Sequence, residues 1–146
     1  MVRRILVSAK VTFTITAFFL TVLSLDANGF WVDYLFVEDK EVQTVYRTAK
    51  NYDYLLWLRE DLLPSADCLH RMVAKGHPVV TGIWRGCEHK DTEVELGCLL
   101  IQTNLLSTID LKSKFVKLPV NPFIAKDVVC GLISDNGSVV YPRGEL

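Results

Sequence analysis

The sequence predicts an α+β domain: an N-terminal strand, two helices over about 39–63 and 65–75, then an antiparallel sheet of four to five strands stapled by disulfides. Three observations predict it. Apolar residues between 39 and 75 recur near a 3.6-residue period. Beyond residue 79, short apolar runs alternate with turn signals. Four cysteines, Cys68, Cys87, Cys98 and Cys130, all follow an apolar leader.

The leader comes first. Arg3, Arg4 and Lys10 form a basic head, and Val11 to Leu25 (VTFTITAFFLTVLSL) is an uncharged run closed by Asp26. Ala27 and Gly29 supply the small residues of a signal-peptidase site, which predicts cleavage before Phe30 and a single globular domain over 30–146. A membrane-spanning helix needs about 20 apolar residues, more than this run offers, and Thr12, Thr14, Thr16, Thr21 and Ser24 make it a poor anchor. Membrane contact is expected only if residues 11–25 are kept. The destination is then secreted or periplasmic. The whole chain carries a net charge of −1, and the part after residue 29 has 13 basic and 16 acidic residues. Such a balance argues against a nucleic-acid-binding surface, and no nucleic-acid partner is expected.

Phe30 to Glu38 alternates as a strand, with Phe30, Val32, Tyr34 and Phe36 on one face. Asp39 opens the first helix, whose stripe is Val42, Val45, Ala49, Leu55, Leu56 and Leu62, with a break possible at Asn51 to Asp53 and an end at Leu63-Pro64. Ser65 caps the second helix, Ala66, Leu69, Met72 and Val73 line it, and Gly76 closes it. Strand-like runs follow at 79–87, 94–102, 105–111, 114–118 and 127–133. Asp135-Asn136-Gly137 is a hairpin turn returning through Ser138 to Tyr141. Asn136-Gly137-Ser138 is also an N-glycosylation acceptor.

The stretch VVTGIWRGCEHKDTEVELGCLLIQT, residues 79–103, organises the rest. Gly82 and Gly86 lie two residues either side of Trp84, on its face of the strand, and are expected to leave room for a buried indole. Four cysteines in an exported domain predict two disulfides. In a regular hairpin Cys87 faces Val94 and Cys98 faces Ile83, which separates the two cysteines by about 13 Å. That favours Cys68–Cys87 with Cys98–Cys130, while an irregular turn would readmit Cys87–Cys98.

No catalytic constellation assembles from the sequence. His70, His77 and His89 lie in separate segments. Cys87, His89 and Cys98 lack zinc-ligand spacing, and Glu88, Asp91, Glu93 and Glu95 lack a calcium-loop pattern. Neither a phosphate-binding glycine loop nor a nucleophile elbow occurs. No metal or cofactor is therefore expected. Tyr46, Tyr52, Tyr54 and Trp57 read as core aromatics. The candidate recognition residues are Trp84 and, in the charged turn beside it, Arg85, Glu88, His89, Asp91 and Glu93.

Gly82-Ile83-Trp84-Arg85-Gly86-Cys87, followed after ten residues by Cys98, resembles the first extracellular loop of the claudin and peripheral-myelin-protein family. Trp31 after the apolar run has a counterpart there. The resemblance implies a Cys87–Cys98 disulfide and a membrane-junction or receptor-associated role. That family has four transmembrane helices, and nothing after Cys98 here is long and apolar enough to supply one. The function read from the residues themselves is a small exported binding, inhibitor or immunity-type protein, with a protein or small extracellular ligand as partner.

Overall fold

The computed structural model describes residues 2–12 and 16–141. In chain order the strands are β1 Arg3–Lys10, β2 Phe30–Val37, β3 Tyr54–Arg59, β4 Leu62–Leu63, β5 Val79–Ile83, β6 His89–Lys90, β7 Glu93–Glu95, β8 Cys98–Gln102, β9 Phe115–Lys117, β10 Phe123–Val129, β11 Gly131–Ile133 and β12 Val139–Val140. The helices are α1 Thr16–Leu23, α2 Val42–Ala49 and α3 Cys68–Val73, with 3-10 turns at Asp39–Glu41 and Thr103–Thr108. Six strands form the main sheet in the order β10-β5-β8-β3-β1-β2, and two three-stranded sheets, β12-β11-β4 and β6-β7-β9, flank it.

The sheet is larger than predicted and it is mixed. β1 runs parallel to both β2 and β3, and β10 runs parallel to β5, while β8 is antiparallel to β3 and β5. Side chains alternate faces along each strand, and two cores result. Ile5, Val7, Ala9, Tyr54, Leu56, Leu58 and Leu100 pack on one face with Phe18 and Val22 of α1 and Leu69 and Met72 of α3. Leu6, Leu55, Trp57, Leu99 and Ile101 pack on the other with Val42, Val45 and Ala49 of α2. The arrangement is a helix–sheet–helix sandwich, in which a parallel strand is buried on both faces and reads as a continuous apolar run.

Several sequence expectations are corrected here. The first helix ends at Ala49, and residues 54–59 are β3, every one of them buried except half-exposed Arg59. Burial on both faces produced the apolar density that mimicked a helical stripe. The second helix is present as α3, closed by Gly76 at φ +64°. The run at 105–111, expected as a strand, is largely the 3-10 turn. β5 and β8 pair antiparallel as expected, but Val79 faces Ile101, one residue out of the hairpin register anticipated. The charged turn does not extend that hairpin, because β6 pairs with β7 and β7 with β9 in a separate sheet.

The predicted leader lies within the fold. β1 sits between β2 and β3, with Ile5, Val7 and Ala9 fully buried, and α1 buries Phe18 and Val22. The uncharged outer positions Leu20 and Leu23 of α1 are 64% and 62% exposed. Among the described residues no helix is long and apolar enough to cross a membrane.

Candidate site at the carboxyl end of the central strand

Chain direction places this site. From β1 the chain crosses through α1 to β2 on one side, and from β2 it crosses back through α2 to β3 on the other. Two crossovers of one hand, stepping in opposite directions, put their helices on opposite faces of the sheet. The connections therefore diverge at the carboxyl end of β1, leaving a crevice, the position where open α/β sheets bind ligands.

A cavity of about 240 Å³ occupies that crevice. Trp57, Leu58, Leu96 and Leu111 form its apolar wall, while Lys10, Thr12, Arg59, Glu60, Lys112, Ser113 and Lys114 supply its polar groups. Each is fixed by local structure. Lys10 ends β1 and pairs with Asp39 at 3.3 Å. Thr12 donates its backbone N–H to Glu60 Oε1 at 3.0 Å, and its hydroxyl donates to the same oxygen. Glu60 Oε2 is closed to solvent and has no hydrogen-bond partner. Arg59 donates to Asp61 at 2.5 Å and to buried Glu95 at 2.8 Å. Burial pulls the Arg59 pKa down, but the two carboxylates more than offset it and hold the guanidinium charged.

The lysine-bearing loop is anchored from both ends. Asp110 accepts from the Lys112 backbone at 3.0 Å and the Ser113 hydroxyl at 2.9 Å, bonds that keep its carboxyl below the usual range. The Tyr46 hydroxyl donates to Ile109 O at 2.5 Å and accepts from Leu111 N at 2.9 Å. Among the described residues neither Lys112 nor Lys114 forms an ion pair. The cavity thus sets two lysines without ion pairs over an apolar wall, while Lys10 and Arg59 are neutralised by Asp39, Asp61 and Glu95.

The residues singled out by sequence fare differently. Trp84 is 1% exposed and belongs to the core. The glycine that makes room for it is Gly97, where a β-carbon would lie 2.5 Å from Trp84 Cη2. Gly86 turns the chain at φ +80°, and Gly82 packs on Val128 and Cys98, so neither serves the indole as expected. Glu88, His89 and Glu93 line a cleft of about 400 Å³ with Phe115, whereas Arg85 and Asp91 are exposed outside it. Both ring nitrogens of His89 lack partners, and burial lowers its pKa below that of an ordinary imidazole. His70 lies 3.6 Å from Asp26, and His77 binds the Val79 carbonyl, so the three histidines stay apart. No group of three or more metal-binding side chains occurs among the described residues. Asn136 is exposed, and its carbonyl accepts from the Ser138 backbone at 3.0 Å, which accounts for the turn.

All four cysteines are free thiols, so the predicted staples are absent. Cys98 and Cys130, one of the expected pairs, lie buried in the same core as Cys68, close enough for Cys98 to shift the Cys130 thiol, with no disulfide between them. Burial pushes the Cys68 pKa up to about 12, and the hydrogen bond to Cys98 raises that of Cys130 further still. Such thiols are poor nucleophiles. Alkylation of the denatured chain without reductant should add four labels by mass, and fewer than four would show a disulfide. The Cys87–Cys98 bond implied by the claudin resemblance is likewise absent.

The sequence reading missed Lys10, Thr12, Glu60, Lys112, Ser113 and Lys114. A signal existed: two apolar runs, ILVSA and YLLWL, each end on a basic residue and a polar side chain able to bind a ligand.

No known protein family and no curated protein matches the chain. Among solved structures it is similar to A197 from STIV, with a TM-score of 0.56 and 15% identity over 99% of this chain and 96% of A197. At that identity the similarity concerns the fold.

Proposed function

We propose that this chain is a small-molecule-binding domain whose ligand is a hydroxylated organic phosphate, held at the carboxyl ends of β1 and β3. The observation that carries the proposal is the gathering of Lys10, Lys112 and Lys114 around one apolar-walled cavity at the switch point of the sheet. Lys112 and Lys114, which form no ion pair among the described residues, favour a compact anion over an extended polyanion. Glu60 adds selectivity. Its unpartnered Oε2 needs a donor, and a ligand hydroxyl provides one without adding charge. The Trp57 and Leu111 wall accepts the ligand's carbon skeleton. The binding role expected from the sequence is kept, moved from the Glu88–Glu93 turn to the sheet, with residues 1–29 still attached.

Calorimetric titration of the full chain with ribose 5-phosphate, glucose 1-phosphate and adenosine monophosphate tests this. At least one should bind, more weakly as salt rises. The Lys112→Ala/Lys114→Ala variant should lose about tenfold in affinity, or ~1.4 kcal/mol, with its circular dichroism unchanged. Absence of binding by all three compounds, or affinity untouched in the variant, would overturn the assignment.

A further inference from the structure

At the opposite end of the sheet lies a second cleft, of about 310 Å³, between the start of β1, the start of β3 and the end of β8. Its lining differs in kind from the first. It contains no aliphatic side chain, and its two charges, Arg3 and Asp53, balance. Part of this polar surface is already committed. Arg3 donates to the Tyr54 hydroxyl at 3.4 Å, Asp53 Oδ2 accepts from the Arg4 backbone at 2.8 Å, and Thr103 donates to the Tyr52 carbonyl at 2.6 Å. The side-chain amides of Gln102 and Asn104 make no hydrogen bond among the described residues, so both their donors and their acceptors are available.

An aromatic shelf adjoins the cleft. Arg4 stacks on the Tyr52 ring at 5.2 Å and on the Trp31 ring at 5.4 Å. Asp33 accepts from both the Trp31 indole N–H at 3.0 Å and the Tyr52 hydroxyl at 2.5 Å. These bonds lock the rings while leaving Trp31 56% exposed on the edge strand β2. An aromatic this exposed, held by two partners, loses little side-chain freedom when it is covered.

We propose that this cleft is a second binding site and that it takes a neutral saccharide. Free planar amides pair with adjacent hydroxyls through one donor and one acceptor each. A charge-balanced lining disfavours anions and cations alike. The locked indole and phenol rings offer flat apolar faces for the C–H face of a sugar ring, as pockets with a few convergent polar groups do for their ligands. The site is independent of the phosphate cavity, sharing no lining residue with it.

The test is a nuclear magnetic resonance titration of the ¹⁵N-labelled full chain with maltose, cellobiose and N,N′-diacetylchitobiose. At least one should shift the Gln102 and Asn104 side-chain amides and the Trp31 indole together. Gln102→Ala/Asn104→Ala should weaken that binding by about tenfold, and Trp31→Ala should weaken it too. Lys112→Ala/Lys114→Ala should leave it unchanged, which separates this site from the phosphate cavity. No shift with any of the three sugars overturns the proposal. So does binding that survives in the Gln102→Ala/Asn104→Ala protein, or an uncharged tripeptide amide that binds the cleft in the sugars' place.

Discussion

A chain beginning at Phe30 should not fold. β1 contributes Ile5, Leu6, Val7 and Ala9 at 0–1% exposure, and α1 contributes Phe18 and Val22 at 0%. Each large buried apolar side chain stabilises by about 1.5–3 kcal/mol, so losing five of them takes away more than most of the 5–15 kcal/mol by which a domain of about this size is usually stable. Loss of β1 also strips two parallel ladders, leaving β2 unattached and the inner edge of β3 bare. The full chain should unfold cooperatively in urea, while residues 30–146 should show no cooperative transition. Terminal sequencing of the expressed protein should find no cleavage before Phe30. A stable protein starting at Phe30 would support the signal-peptide reading.

Trp84→Ala should destabilise the protein by about 3–5 kcal/mol, the usual cost of emptying a large aromatic site. Trp84 fills the space above Gly97, Arg59 lies over its ring at 5.2 Å, and His89 meets it edge-on at 5.6 Å. The companion substitution Gly97→Ala should also destabilise, by about 1–3 kcal/mol, since its methyl overlaps the indole. Combined, the two should cost less than their sum, because the methyl occupies room that the indole vacated. Urea unfolding of the two single variants and the double variant measures the coupling. Additive effects would mean that Trp84 and Gly97 are not packed against each other as described.

The legible parts of the fold were those with one wet face or a turn of fixed geometry. β2 is a strand where one was expected, though its burial does not alternate, Gly76 ends α3 at φ +64°, and Asp135-Asn136-Gly137 turns where expected, with Gly137 at φ +85°. The illegible parts were the strands buried on both faces. Ile5-Leu6-Val7 between arginines and an uncharged run has the composition of an export leader, since both a leader and a central parallel strand are continuous apolar stretches with a basic approach. Leu55-Leu56 gave the same ambiguity between strand and helix. Cysteine proximity was partly legible, because Cys98 and Cys130 do meet. Their expected pairing as a disulfide rested on the assumed export, and no disulfide joins them here. The cavity was hidden for a different reason. Lys10, Glu60 and Lys112 are far apart in sequence, and only the switch in strand order brings them together.

Strand order also sets a timetable for synthesis. β1 leaves the ribosome first and becomes the seed on which β2 and then β3 can align as each is made. The next long strand, β5, finds no partner waiting, because its neighbours in the sheet are β8 and β10. Its apolar residues Val79, Val80 and Ile83 must stay uncovered until Cys98–Gln102 has been translated and laid against β3. Pairing across that interval is the costly, slow kind that exposes a growing chain to aggregation. The nascent protein is therefore most vulnerable while the ribosome works from Ile83 to Gln102, with one half of its sheet built and the first strand of the other half made but unplaced.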